Sequence, residues 1–101
     1  MIVERLVFRT KFGQGDTVAR AFQSWLKRFG ERFGVEGRCL VDLTGPMFTV
    51  VVENQYRDLA QMAELQASQE EFYASPEFQE WFGGWSAATE NGTRELYRVV
   101  A

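Results

Sequence analysis

Histidine is missing from all 101 residues of the chain, cysteine occurs once and proline twice. The missing histidine removes the commonest general base, the commonest zinc ligand and the usual proximal haem ligand. No metal and no cofactor is therefore expected. Cys39 has no partner for an intrachain disulfide, which makes a reducing cytoplasm the default setting. With no histidine or lysine beside it in sequence, it reads as a core thiol and not as a nucleophile. Positive charge is also short: 11 Lys and Arg stand against 14 Asp and Glu, giving a net charge of −3 and a pI near 5.0. The basic residues are scattered and form no basic face, which argues against nucleic acid as a partner. No apolar run approaches membrane-spanning length, and Glu4 and Arg5 break any signal-peptide pattern, so no membrane contact is expected.

What the chain has in plenty is aromatic surface, 15% of residues, within an ordinary globular balance of 46% hydrophobic and 25% charged. A chain of this length builds one core, and residues 1–101 are expected to form one domain. Residues 2–12 set Arg5, Arg9 and Lys11 against Leu6, Phe8 and Phe12, the alternation of a strand. Gly13-Gln14-Gly15-Asp16 follows. It has the outline of a dinucleotide-binding turn, but Val18 stands where the third glycine belongs and Asp16 where a phosphate would bind, so it reads as a plain turn. Asp16 or Thr17 caps a helix to about Phe33, whose apolar stripe is Val18, Phe22, Trp25, Leu26, Phe29 and Phe33. Gly30 interrupts this helix without an evident purpose, and Gly34 ends it.

Strands are predicted over 35–43 and 47–53, joined by a Thr44-Gly45-Pro46 hairpin turn. Asp58 caps a helical stretch carrying Leu59, Met62, Ala63, Leu65 and Phe72. Ser75-Pro76 stops it and starts another, which carries Phe78, Trp81, Phe82 and Trp85. Asn91-Gly92 reads as a turn and 94–100 as the last strand. Strand, helix, strand, strand, helix, strand is the order of an α+β, ferredoxin-like subunit, with four antiparallel strands and both helices on one face. In the third strand Phe48, Val50 and Val52 point one way and Met47, Thr49 and Val51 the other, so both faces are largely apolar. Two helices cover only one face, and a second copy packed sheet against sheet is the economical cover for the other. A homodimer through the sheet faces is therefore expected.

With this order established, the chain resembles the dimeric α/β-barrel superfamily, and within it the NIPSNAP-like and antibiotic-biosynthesis-monooxygenase-like small proteins. The resemblance rests on the opening strand with Gly13-Gln14-Gly15, on Leu43-Thr-Gly-Pro46 before Phe48-Thr-Val-Val-Val-Glu53, on Ser75-Pro-Glu-Phe-Gln-Glu-Trp-Phe82, and on the closing Leu96-Tyr-Arg-Val-Val100. It spans essentially the whole chain. It implies two ferredoxin-like subunits closing their sheets into one barrel, with ligands held between helices and sheet. It also implies one of two roles: binding of a small apolar or aromatic ligand without assigned chemistry, or a cofactor-independent monooxygenase or isomerase acting on a small aromatic or phenolic substrate. The haem-ligating branches use histidine, absent here. The haem-degrading and quinone-forming branches use an Asn followed one helical turn later by Trp, whereas Asn54 precedes Tyr56 and Asp58. Those mechanisms do not carry over.

Under the resemblance, Trp25, Phe72, Tyr73, Trp81, Phe82 and Trp85 are candidates for an aromatic pocket, with core packing as the alternative use of the same rings. Gly83-Gly84 beside them permits a hinge or a close backbone approach. Tyr97 and Arg98 point to opposite sides of the last strand, and either is a candidate to polarise a substrate oxygen. Arg98 suits an anionic or phenolic group, with a structural salt bridge as the alternative use of the same side chain. Arg5, Arg9, Arg38, Asp42 and Glu53 are expected as paired charges at a barrel mouth or subunit interface. Glu70, Glu71, Glu77 and Glu80 read as a solvated helix face, with a general acid or base among them as the alternative if one is buried. Spacing alone names no catalytic residue.

Overall fold

Alternation in the opening segment decides which side of the sheet is the inside. In the computed structural model, which describes residues 1–100, β1 spans Ile2–Thr10 and turns Leu6 and Phe8 into the core beneath the helices. β2 (Glu36–Val41), β3 (Thr49–Tyr56) and β4 (Thr89–Arg98) complete one antiparallel sheet in the order β2-β3-β1-β4. This is the expected ferredoxin-like arrangement, with β1 and β3 adjacent at the centre, and β2 and β4 on the edges. Val50, Val52, Asn54 and Tyr56 of β3 are buried on the helical side, opposite Phe8, Leu6, Glu4 and Ile2 in the ladder.

The strand ends differ from the expected ones. β1 stops at Thr10, and Phe12 lies exposed beyond it. β3 starts at Thr49 and not at Met47, because Phe48 adopts a left-handed backbone (φ 58). Its carbonyl accepts bonds from Thr10 N (3.1 Å) and Thr10 Oγ1 (2.7 Å), which hold that strained conformation. Asn91-Gly92 is no turn; both residues lie within β4, opposite Arg9 and Phe8. The reversal comes earlier, at Ala87 and Ala88, and Gly92 serves instead as a gap, since a Cβ there would lie 2.9 Å from the Phe8 ring.

α1 runs over Gly15–Trp25, continues through a π-helical stretch, Leu26–Gly30, and ends in one α-turn, Glu31–Phe33. Neither Asp16 nor Thr17 caps it; Gln14 occupies the cap position without a side-chain bond. Gly30 is buried where the chain doubles back: Val35 N donates to its carbonyl (2.7 Å), and a Cβ would lie 3.2 Å from Val35 O. Gly34 closes the helix with φ 71, as expected of a C-terminal left-handed residue. α2 (Leu59–Ser68) is capped by Asp58, whose carboxylate accepts from Gln61 N (2.8 Å). That bond lowers the Asp58 pKa below the ordinary carboxylate value. The chain breaks at Gln69 into a short α3 (Glu70–Tyr73), and Ser75 with Pro76 starts α4 (Pro76–Ser86), Ser75 Oγ accepting from Phe78 N (3.2 Å).

Val18 and Phe22 from α1, Val50 and Val52 from β3, and Trp85 and Ala88 form the buried core. The opposite sheet face is less apolar than β3 alone implied. Val3, Val7 and Val51 share it with Arg5, Arg38 and Glu53, and Glu53 pairs with Arg38 (2.8 Å) and Arg5 (3.9 Å). Asp42 accepts instead from the backbone of Thr49 (2.9 Å). No helix among the described residues is long and apolar enough to cross a membrane.

Candidate functional site

Between the helices and the β4 side of the sheet lies a cleft of about 910 Å³. Its wall is aromatic. Trp25 and Trp81 lie with ring centroids 4.6 Å apart, Trp81 and Trp85 5.6 Å, and Phe82 meets Trp85 edge-on at 5.2 Å. Helical spacing along α4 brings residues 78, 81, 82 and 85 to one side, and Trp81 Nε1 donates to Ala21 O (2.7 Å), tying α4 to α1.

Its floor is polar and comes from the sheet. Glu4 is 4% exposed and Asn54 7%. Glu4 Oε1 accepts from Asn54 Nδ2 (3.2 Å) and from the Tyr56 hydroxyl (3.4 Å). Glu4 Oε2 lies 3.4 Å from Arg94 Nε, but this ion-pair contact lacks hydrogen-bond alignment, and among the described residues Oε2 has no hydrogen-bond donor. Asn54 Oδ1 and Trp85 Nε1 are likewise buried and without partners among the described residues. A buried polar atom left unpaired costs about 1–3 kcal/mol. All three belong to residues that line the cleft.

Burial raises the Tyr56 pKa well above the ordinary tyrosine range, and the charge of Glu4 and the bond donated to it push the same way. Tyr56 is thus held as a proton donor to Glu4. Tyr73, at the cleft edge with its hydroxyl donating to Gln69 Oε1 (2.7 Å), is raised by burial and then by Glu4. The site presents a carboxylate oxygen open to a hydrogen-bond donor, beside flat apolar walls.

Of the residues singled out from sequence, Trp25, Tyr73, Trp81, Phe82 and Trp85 line the cleft. Phe72 does not; it is buried against Phe29 (4.7 Å) and Phe33 (5.3 Å) and packs the helices together. Arg98 does not either. The ladder places it opposite Ile2, on the helical side but past the end of the cleft, while Arg94, opposite Leu6, reaches Glu4. Gly83 and Gly84 make no close approach, since nothing lies within 4 Å of a Cβ built on either. Glu70 alone of the four helical glutamates borders the cleft, and Glu77 is an exposed partner of Arg28 (3.2 Å). Cys39 is partly buried with its pKa raised by burial, as fits a core thiol.

Glu4, Asn54, Tyr56 and Arg94 were not read as a site from sequence. Strand parity held the signal for Glu4, which shares the side of Leu6 and Phe8 and so is a carboxylate on the apolar face. Asn54 and Tyr56 continue the parity of Val50 and Val52 once β3 runs to Tyr56.

No protein-family model and no curated protein sequence matches the chain. Solved structures do. An uncharacterised NIPSNAP domain protein from Burkholderia xenovorans is 18% identical, with a TM-score of 0.75 over 100% of this chain and 96% of that one. A NIPSNAP family protein from Agrobacterium tumefaciens is 16% identical, with a TM-score of 0.69 over 98% and 92%. An antibiotic biosynthesis monooxygenase is 16% identical, with a TM-score of 0.69 over the full length of both chains. The chain has the α+β, ferredoxin-like fold that these NIPSNAP and antibiotic-biosynthesis-monooxygenase structures share. Identities this low carry the architecture and leave the activity to the site.

Proposed function

We propose that the chain binds a small apolar or aromatic molecule in the cleft between its helices and sheet, as a homodimer closed sheet to sheet. The observation that carries the reading is the buried Glu4 carboxylate, one oxygen of it without a hydrogen-bond donor among the described residues, at the floor of an aromatic cleft. Apolar walls with a few converging polar groups suit a ligand of drug-like size, for which pockets run to about 300–1,000 Å³. The half-buried Val3, Val7 and Val51 on the open sheet face support the dimer, and the free thiol fits a reducing compartment, the cytoplasm.

Titration with a neutral naphthalene derivative tests the cleft, because three tryptophans stand in its wall. Their emission is expected to be quenched saturably, and Phe82→Ala, a change at an exposed position, to weaken binding more than stability. Emission that stays flat with every flat apolar probe contradicts the reading.

Glu4 also favours a second reading, a cofactor-independent monooxygenase or isomerase. There the carboxylate takes the proton of a bound phenol, and the resulting anion reacts. Oxygen uptake or product formation with hydroxyaromatic substrates, lost in Glu4→Gln while binding persists, distinguishes enzyme from binding protein.

A further inference from the structure

We infer that the polar end of the ligand is a protonated amine, seated on Glu4 with its apolar body against the tryptophans. This rests on the cleft being a ligand site and goes beyond it by assigning charge.

Glu4, Asn54 and Tyr56 of the floor offer acceptors and have spent their side-chain donors. The free donors of the cleft are Trp85 Nε1 in the wall and the exposed Arg94 guanidinium. Asn54 Nδ2 and the Tyr56 hydroxyl both donate to Glu4 Oε1, which leaves Glu4 Oε2 and Asn54 Oδ1 with open lone pairs. Whatever completes them brings N–H or O–H groups. Charge narrows the choice. Glu4 is a carboxylate at 4% exposure, and a buried charge needs a counter-charge with good geometry. Arg94 supplies one poorly: its side chain is 63% exposed, and its Nε stands 3.4 Å from Oε2 without hydrogen-bond alignment. The charged residues lining the cleft are Glu4, Glu70 and Arg94, a negative balance. The walls point the same way, because the faces of tryptophan rings attract cations, most strongly where water is excluded. An ammonium group would give Oε2 a donor and the carboxylate a counter-charge, and the tryptophans of the wall would add their attraction for cations. A carboxylate ligand would meet Glu4 as a like charge, and a neutral alcohol would leave its charge as poorly compensated as before.

Three probes with one aromatic body separate these cases: naphthylethylamine, naphthylethanol and naphthylacetate, titrated calorimetrically and by tryptophan emission at neutral pH. The amine is expected to bind about tenfold or more tighter than the alcohol, the scale of a charge-assisted hydrogen bond at a buried site, and the acetate weakest. Glu4→Gln, which keeps an oxygen for Asn54 and Tyr56 to donate to, is expected to abolish that preference. Arg94→Gln, at a side chain 63% exposed, is expected to strengthen amine binding by releasing Oε2. Alcohol or acetate binding as tightly as the amine overturns the inference while the cleft reading stands. So does an amine preference that survives Glu4→Gln, or amine binding that falls in Arg94→Gln. Binding of none of the three overturns both.

Discussion

Gly37 on β2 faces Asn54 across the ladder, and a Cβ there would lie 2.4 Å from Asn54 Oδ1 and 3.0 Å from the Glu53 carbonyl. The side chain can rotate away but the backbone cannot, so Gly37→Ala is expected to cost about 1–3 kcal/mol in urea unfolding. It should also detach Asn54 from Glu4 and weaken ligand binding in the cleft. Unchanged stability with unchanged binding would show that the close approach is without consequence. Tyr56 gives a pH dependence of definite sign. Its folded pKa lies above its ordinary 10.0, so the native state holds the proton that the unfolded chain gives up. Its stabilising contribution is complete below about pH 10 and is lost as pH rises beyond that. Urea midpoints followed from about pH 8 to about pH 11 should fall, and Tyr56→Phe should flatten part of the decline. A steeper decline in the variant would reverse the sign.

At the scale of elements, helix punctuation was legible where it is a local matter. Asp58, Ser75-Pro76 and Gly34 act as their types suggest, because a cap depends on a few neighbouring backbone groups. The first helix begins earlier than its capping residues suggest, at Gly15, which lies against Phe48 from far along the chain. Gly30 likewise gained its purpose only from Val35 folding back on it. Gly83 and Gly84 are exposed in α4, with φ outside the left-handed region and open space where a Cβ would go. Nothing local requires glycine at either, so Gly83→Ala and Gly84→Ala are each expected to stabilise by about 0.5–1 kcal/mol in denaturant unfolding. If they stabilise but slow ligand release in stopped-flow, the pair acts as a hinge of α4.

At the scale of the molecule, the proposed dimer rests on the open sheet face. Val3, Val7 and Val51, with Leu40 and Tyr97 beside them on the edge strands, supply its apolar part, and the Arg5–Glu53–Arg38 group crosses it. Charges at the middle of a buried face fix register more than they add affinity. Sedimentation equilibrium at micromolar concentration is expected to give twice 11.6 kDa. Val51→Asp should return the 11.6 kDa species without unfolding it, since its side chain points away from the helices. A wild-type monomer at that concentration would remove the proposed dimer.

Order of elements, strand parity and the aromatic content of the second helical region were all determined by the sequence, because periodicity and capping act over a few residues. Five of the aromatic residues singled out from sequence line the cleft, and for Trp81, Phe82 and Trp85 the reason is the same: helical spacing gathers them wherever the helix lies. Phe72 and Arg98 fell outside because choosing between core and cleft, or between Arg94 and Arg98, depends on where one element ends against another. The floor was decided by tertiary structure alone. Glu4, Asn54 and Arg94 come from three strands, and the antiparallel register that sets them side by side is a property of the whole sheet.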